Sequence, residues 1–211
     1  MRMEDILDLY GMPYNPRRPQ VCVDERPCQL LGDTVVPIPM KPGKCYKYDH
    51  HDERHGTCTL FVAVEPLAGF RFVQVRKRRT KVDYAEFMKA FAELPRYVEV
   101  ERFQLVQDNL NTHTAGAFYA AFDPETARQL KQKFEYHSTP TNASWLTMAE
   151  IELSALAKQC LDRRIPSEDV LEREALACVK ERNEKAIKIS WQFTTNAARE
   201  KLKRHYKTIK N

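Results

Sequence analysis

The clearest alternation of apolar and polar positions runs from Phe70 to Val75 (FRFVQV), the mark of a half-buried strand. Just before it, Thr57 to Val64 (TCTLFVAV) is apolar and β-branched, and Glu65-Pro66-Leu67-Ala68-Gly69 makes an acceptable antiparallel connection between the two. Tyr84, Phe87, Met88, Phe91 and Leu94 then recur at helical spacing, which predicts a helix over 82–94. Two shorter apolar runs stop at acids. Val21-Cys22-Val23 ends at Asp24-Glu25-Arg26-Pro27, and Phe103 to Val106 ends shortly before Asp108. Both read as buried strands that present a carboxylate at their C-terminal end.

The second half is more helical. Asp123-Pro124-Glu125 is a helix start, with Asp as N-cap and Pro in the first turn, for a helix reaching about Lys133. A short strand, Phe134 to His137, and a turn at Thr139-Pro140-Thr141-Asn142 follow. From Ser144 to Leu161 the stripe Leu146, Ala149, Leu153, Leu156, Cys160 predicts a helix, and Ser167 caps a further one through about Lys185. A short helix near Glu4–Leu9 opens the chain and a basic one, about Ala197 to Tyr206, closes it. Residues 32–56 read as loop with at most a short strand. The order is strand, two-stranded hairpin, helix, strand, helix, strand, then helices. That predicts an α/β protein, a mixed α+β sheet with flanking helices. The expected organisation is a lead-in segment (1–20), a main domain (21–165) and a C-terminal helical extension with a basic tail (166–211).

Composition narrows the class. With 43% hydrophobic and 30% charged residues in 211, the chain is an ordinary globular protein with room for one substantial core. No apolar stretch is long enough for a membrane helix and the N-terminus lacks a signal-peptide layout, so a cytoplasmic, nucleoid-associated protein is expected. The six cysteines form no CxxC pair, which leaves zinc-ribbon and thioredoxin readings without support and favours reduced thiols. The net charge of +5 is concentrated in the tail, where Arg199, Lys201, Lys203, Arg204, Lys207 and Lys210 face one acid, Glu200. A second basic run is Arg76-Lys77-Arg78-Arg79-Thr80-Lys81. Both are candidate phosphate-facing patches; the plainer reading is a solvated helix end and a charged strand edge.

Carboxylates at adjacent strand ends make a hard oxygen site suited to Mg²⁺ or Mn²⁺, and a third acid from a helix would complete it. Such a pair of ions can cut a phosphodiester. Spacing alone leaves this open, because Asp at a strand end is common.

The segments VCVDERPCQLL, LFVAVEPLAGFRFVQVRKRRTKVDYAEF, LVQDNLNTH, SWLTMAEIELSALAKQCLDRRI and WQFTTNAAREKLKR resemble, in order, successive blocks of the mariner-related insertion-sequence transposases. The resemblance implies a ribonuclease H-like catalytic domain of the DDE endonuclease superfamily. It further implies two Mg²⁺ ions (Mn²⁺ substituting) held by an acidic triad, with action on element-end and target DNA at TA dinucleotides, as a dimer. By motif, Asp24 in VCVDERP and Asp108 in LVQDNLNTH match the first two catalytic and metal-binding acids, and Glu150 in WLTMAEIE matches the third. Glu152 is its competitor: at about 100° per residue the two flank the core stripe on opposite sides, and only the motif favours Glu150. Arg76, Lys77, Arg78, Arg79, Lys81, Arg199, Lys201, Lys203 and Arg204 are then the expected DNA contacts.

The sequence also departs from that family. Thr147 stands where relatives carry Asn, Thr141 and Asn142 where they carry Lys and His, and YKYDHHDERHGT differs from the usual aromatic-and-acidic form. Only 23 residues precede Asp24, too few for the helix-turn-helix modules such transposases carry. The expectation is a separately encoded helix-turn-helix subunit or a truncated copy, with an inactive relic or DNA-binding protein of the same fold as the alternative. His50, His51 and His55 have a spacing that on a helix could bind zinc, but they lie in a charged, loop-like stretch. His113 either contacts DNA, orients the site or caps its loop. Trp145 is expected in the core, and Asn109 and Asn111 are partners of the metal site or simply turn residues.

Overall fold

In the computed structural model, which describes residues 2–203, one mixed sheet of five strands carries helices on both faces. The strands are β1 (Gln20–Asp33), β2 (Asp52–Glu65), β3 (Phe70–Arg76), β4 (Phe103–Gln107) and β5 (Phe134–Ser138), in the order β3-β2-β1-β4-β5. β2 runs antiparallel to both neighbours, while β1, β4 and β5 are parallel to one another. This is the mixed α/β sheet expected from the sequence, in a ribonuclease H-like arrangement. The helices are α1 (Arg2–Tyr10), α2 (Lys81–Ala92), α3 (Gly116–Ala121), α4 (Pro124–Lys133), α5 (Ala149–Gln159), α6 (Glu168–Glu184) and α7 (Thr195–Lys201).

Strand alternation divides the core in two. Val21 and Val23 of β1 pack, with Phe61, Leu105 and Phe134, against α2, α3 and α4. That side is rich in aromatic contacts, such as Phe61–Phe87 at 5.3 Å and Phe103–Phe134 at 5.4 Å between ring centres. Cys22, Val64 and Val106 face the other way, onto α1 and the start of α5. Farther along that face, Leu60, Val62 and Val73 meet Leu153 and Leu156 of α5 and Ala175 and Val179 of α6.

Local chemistry explains where the helices begin. Thr80 and Asp83 form a reciprocal capping box at α2, Asp123 caps α4 through the amides of Glu125 and Thr126, and Ser167 caps α6 through Val170 N. Beyond α6 the chain crosses back to the N-terminus. Ile189 N donates to Pro66 O, Trp191 packs on Tyr10 at 5.2 Å, Thr195 Oγ1 donates to Asp8, and Arg199 pairs with Glu4. Gly69, in the β2–β3 turn, adopts φ +68°, and a Cβ there would sit 2.4 Å from the Ala186 carbonyl oxygen, so both the turn and this crossing require glycine.

Several elements differ from the sequence expectations. β1 does not stop at Asp24 but continues to Asp33, paired residue by residue with β2, with a bulge at Leu30/Leu31. The polar stretch 26–29 carries no apolar signal because pairing with β2, and not burial of a face, holds it in the sheet. β2 accordingly begins at Asp52, inside the stretch read as loop. The helix expected from Ser144 is broken: a 3₁₀ turn over Ser144–Leu146 precedes Thr147 and Met148, and α5 starts at Ala149. α3 was too short to show in the pattern. The basic tail helix is seen over Thr195–Lys201, and its expected continuation past residue 203, with Arg204, lies outside the described residues. All six cysteines are free thiols. Among the described residues, no helix is long and apolar enough to cross a membrane.

Candidate functional site

Three acids gather where the parallel pairing of β1 with β4 stops. Cys22 of β1 pairs with Val106 of β4, so Asp24 and Asp108 each lie two residues beyond the last paired position of these two strands. Asp24 follows Cys22 onto the face covered by α5, whose first turn carries Glu150. Asp24 is 6% exposed, and its Oδ1 accepts the Glu25 amide at 2.8 Å. Burial raises its pKa to about 7; the Glu25 amide works against this, and the charges of Glu150, Asp108 and Glu25 add to it. The three carboxylates are thus near enough to feel one another. Among the described residues, no three His, Cys, Asp or Glu side chains form a ready-made metal cage.

The other side chain of this strand end points the opposite way. Glu25 is buried on the α2 face, and His113 lies between it and Asp108. His113 Nδ1 is 2.7 Å from Asp108 Oδ1 and its Nε2 is 2.6 Å from Glu25 Oε2. Tyr84 of α2 packs its ring, tilted by 32°, against the imidazole at 4.7 Å and donates from its hydroxyl to Gln107 Oε1; Gln107 Nε2 in turn donates to the His113 carbonyl. Burial disfavours the imidazolium, but hydrogen bonds and charge from Asp108 and Glu25 outweigh it and push the pKa up to about 9. For Asp108 burial is again the largest influence and would raise the pKa, yet His113 and the Leu110 amide together bring it below the usual carboxylate value. Of the readings open for His113, orientation of the acid site fits this placement. Glu25 carried no signal in the sequence that distinguished it from its neighbours, because its partner is distant in the chain.

Glu150 and Glu152 have opposite surroundings. Glu150 is exposed and borders a cleft with Glu25, Arg26 and Lys158. Glu152 is fully buried and spends both oxygens on arginines: Arg182 Nε and Nη2 at 2.7 and 3.0 Å, and Arg71 Nε at 2.9 Å. It has no oxygen free for the cleft.

The basic runs separate as well. Lys77, Arg78, Arg79 and Lys81 are exposed between β3 and α2, just past the end of β3, which lies level with Pro27 of β1. Arg76 is partly buried and bound to Glu86 and Gln74, so it anchors the run. Arg199 pairs with Glu4, Lys201 lies 6.0 Å from the Phe193 ring centre, and Lys203 is exposed. Trp145, expected in the core, is 49% exposed and leans on Phe193, because the 3₁₀ turn points Leu146 inward instead. Asn109 donates to the Thr139 carbonyl and accepts from Arg2; Asn111 is exposed. His50 and His51 are exposed, with His51 on Asp49, and His55 Nδ1 lies 2.8 Å from the Pro166 carbonyl oxygen.

A family model described as DDE superfamily endonuclease matches residues 19–172, most of the chain and all five strands. The chain belongs to the DDE superfamily endonucleases. Among solved structures, this DDE endonuclease chain is similar to the Mos1 mariner paired end complex with Mn (16% identity, 88% of this chain and 60% of that one, TM-score 0.46). It is also similar to a pre-cleavage Mos1 transpososome (17% identity, 88% and 59%, TM-score 0.44) and to the Mos1 strand transfer complex (17%, 88% and 58%, TM-score 0.42). The chain spans about 60% of the length of these structural neighbours. No curated protein matches it in sequence.

Proposed function

We propose that this DDE endonuclease chain is the catalytic domain of an insertion-sequence transposase, which cleaves a DNA strand and joins the freed 3′ end to target DNA. The observation that carries the reading is the convergence of Asp24, Asp108 and Glu150 from β1, the end of β4 and α5, close enough that the last two raise the pKa of the first. In this reading Asp24, Asp108 and Glu150 hold Mg²⁺, with Mn²⁺ able to substitute. An all-oxygen, carboxylate-rich donor set with a surplus of negative charge fits such hard cations. When bound, two such ions supply an activated attacking oxygen and a stabilised leaving oxygen.

The protein's own residues do the positioning. His113 and the Leu110 amide engage Asp108 Oδ1, which fixes the carboxylate plane and leaves Oδ2 for a ligand. Burial of Asp24 keeps water from competing for its charge. In this reading Lys77, Arg78, Arg79 and Lys81, with Arg199, Lys201 and Lys203, take the DNA backbone. Their contribution is independent of sequence and falls as salt rises. Action as a homodimer and alongside a separately encoded helix-turn-helix subunit belongs to the same proposal.

The test is a Mg²⁺- or Mn²⁺-dependent nicking assay on DNA containing the ends of the element, with Asp108→Asn as control, followed by a pre-cut end bearing a free 3′-hydroxyl. Nicking and joining that both vanish in the variant support the reading. Nicking that survives the substitution overturns the site, and nicking without joining reduces the function to that of a nuclease.

A further inference from the structure

The helix that carries Glu150 has only a long side-chain bond at its start, from the Ala149 amide to Thr147 Oγ1 at 3.4 Å. Met148 precedes α5 in helical conformation and makes no side-chain capping bond, and the residues before it form a 3₁₀ turn. What faces the sheet along the rest of the helix is mainly Leu153 and Leu156, packed on Leu60, Val62 and Val73. Apolar packing of this kind is non-directional and tolerates a modest rotation. The cost of rotation at the site is high. With side chains the helix is about 5–6 Å in radius, so a 20° turn moves a carboxylate by roughly 2 Å, a whole Mg–O bond length.

The directional restraint on α5 comes from the buried acid two residues on. Glu152 meets Arg182 of α6 as a two-pronged pair, 2.7 Å from Nε and 3.0 Å from Nη2, and is ion-paired with Arg71 of β3, whose Nε lies 2.9 Å from Oε2 without hydrogen-bond geometry. Planar bidentate pairs fix orientation as well as distance. Both cations are themselves tied down. Arg71 donates from Nη1 to the Gly69 carbonyl at 2.7 Å, and its backbone N–H and C=O are both bound by the side-chain amide of Asn183, at 2.7 and 2.8 Å. Arg182 also donates from Nη1 to Gln159, the last residue of α5, at 3.2 Å. The helix is therefore gripped at its first and its last turn. Arg182 and Asn183 lie C-terminal to residues 19–172, the segment matched by the family model.

We propose that Glu152, clasped by Arg71 and Arg182, is a positioning residue that sets the rotation of α5 and thereby aims Glu150 at Asp24. The proposal rests on reading Asp24, Asp108 and Glu150 as the cation-holding acids. A buried ion pair of this kind adds little net stability over apolar side chains of the same volume, so its distinctive contribution is geometric. In this arrangement α6 completes the site from behind without touching it.

The experiment compares Mn²⁺ binding by titration calorimetry in the wild-type chain, Glu150→Gln, Glu152→Gln and Arg182→Lys, at a temperature where circular dichroism shows each to be folded. Arg182→Lys keeps the charge, loses the fork and guards against a variant that does not fold. Both Glu152→Gln and Arg182→Lys are expected to weaken Mn²⁺ binding about ten-fold or more. They should also speed hydrogen exchange at the amides of residues 150–153, with Glu150→Gln losing the ion but not the protection. Lower thermal stability with an unchanged Mn²⁺ affinity overturns the positioning role. Wild-type binding no tighter than that of Glu150→Gln overturns the reading of the site itself, and the positioning role with it.

Discussion

Two buried charge clusters in this protein are near mirror images in composition and opposite in exposure. Between the middle of β1 and the end of β4, one imidazole sits between two acids, Glu25 and Asp108. Behind α5, one acid sits between two arginines, Arg71 and Arg182. The first cluster borders Asp24 and Glu150 and keeps Asp108 20% exposed, so negative charge is left in excess where a cation can reach it. The second is sealed, with Glu152 and the Arg71 side chain at 0% exposure. A charge kept for chemistry retains a free oxygen and a path to solvent. A charge kept for geometry has neither.

Removing one member of the sealed cluster should cost most. Glu152→Ala leaves two guanidinium groups facing a dry gap and is expected to destabilise the fold by about 3–5 kcal/mol in urea denaturation. A loss below ~1 kcal/mol would mean that water or rearrangement relieves the arginines and that the sealed character is wrong.

The His113 cluster should come next. His113→Ala strips the counter-charge from buried Glu25 and should cost about 2–3 kcal/mol. With a pKa of about 9 against an ordinary 6.5, the imidazole stabilises the fold fully below pH 6.5 and loses that contribution as pH rises through 9. The wild-type melting temperature should therefore fall across that window, and the fall should be much smaller in the variant.

How much of this was legible in the sequence follows from range. The Asp123 cap of α4 and the aromatic period of α2 are local, so the pattern over 82–94 predicted α2 well. Asp24 and Asp108 stood out because each follows a short apolar run, and the motif around Glu150 was equally local. The continuation of β1 through Arg26 to Gln29 was not legible, since its strand character depends on β2 pairing and not on a buried face. His113 and Glu25 lie far apart in sequence, as do Glu152 and its arginines, and no period reveals which charges will meet. That is why Glu150 and Glu152 looked equivalent in spacing, and why Trp145, beside a helix start displaced to Ala149, was expected in the core.

A gain of stability is expected at Asp24. Its folded pKa of about 7 exceeds the ordinary 3.8, so it favours folding only while protonated, and that contribution fades as pH rises through 7. In chelator at pH 8, Asp24→Asn should melt about 5 °C above the wild-type chain, with the gap closing toward pH 4. An unchanged melting temperature at pH 8 would mean that the three acids do not crowd one another. The smallest effect belongs to Glu150. Exposed and without a fixed partner, it should tolerate Glu150→Gln within about 0.5 kcal/mol, in contrast to Glu152 on the same helix.

The central claim is that Asp24, Asp108 and Glu150 together hold the divalent cations of a DNA-cutting site. It is tested most directly by titrating Mn²⁺ into the wild-type chain and into Asp24→Asn, Asp108→Asn and Glu150→Gln. Saturable binding in the wild type that is lost or strongly weakened in all three variants is the predicted result. Binding that survives in all three with unchanged affinity would place the cation elsewhere and contradict the account.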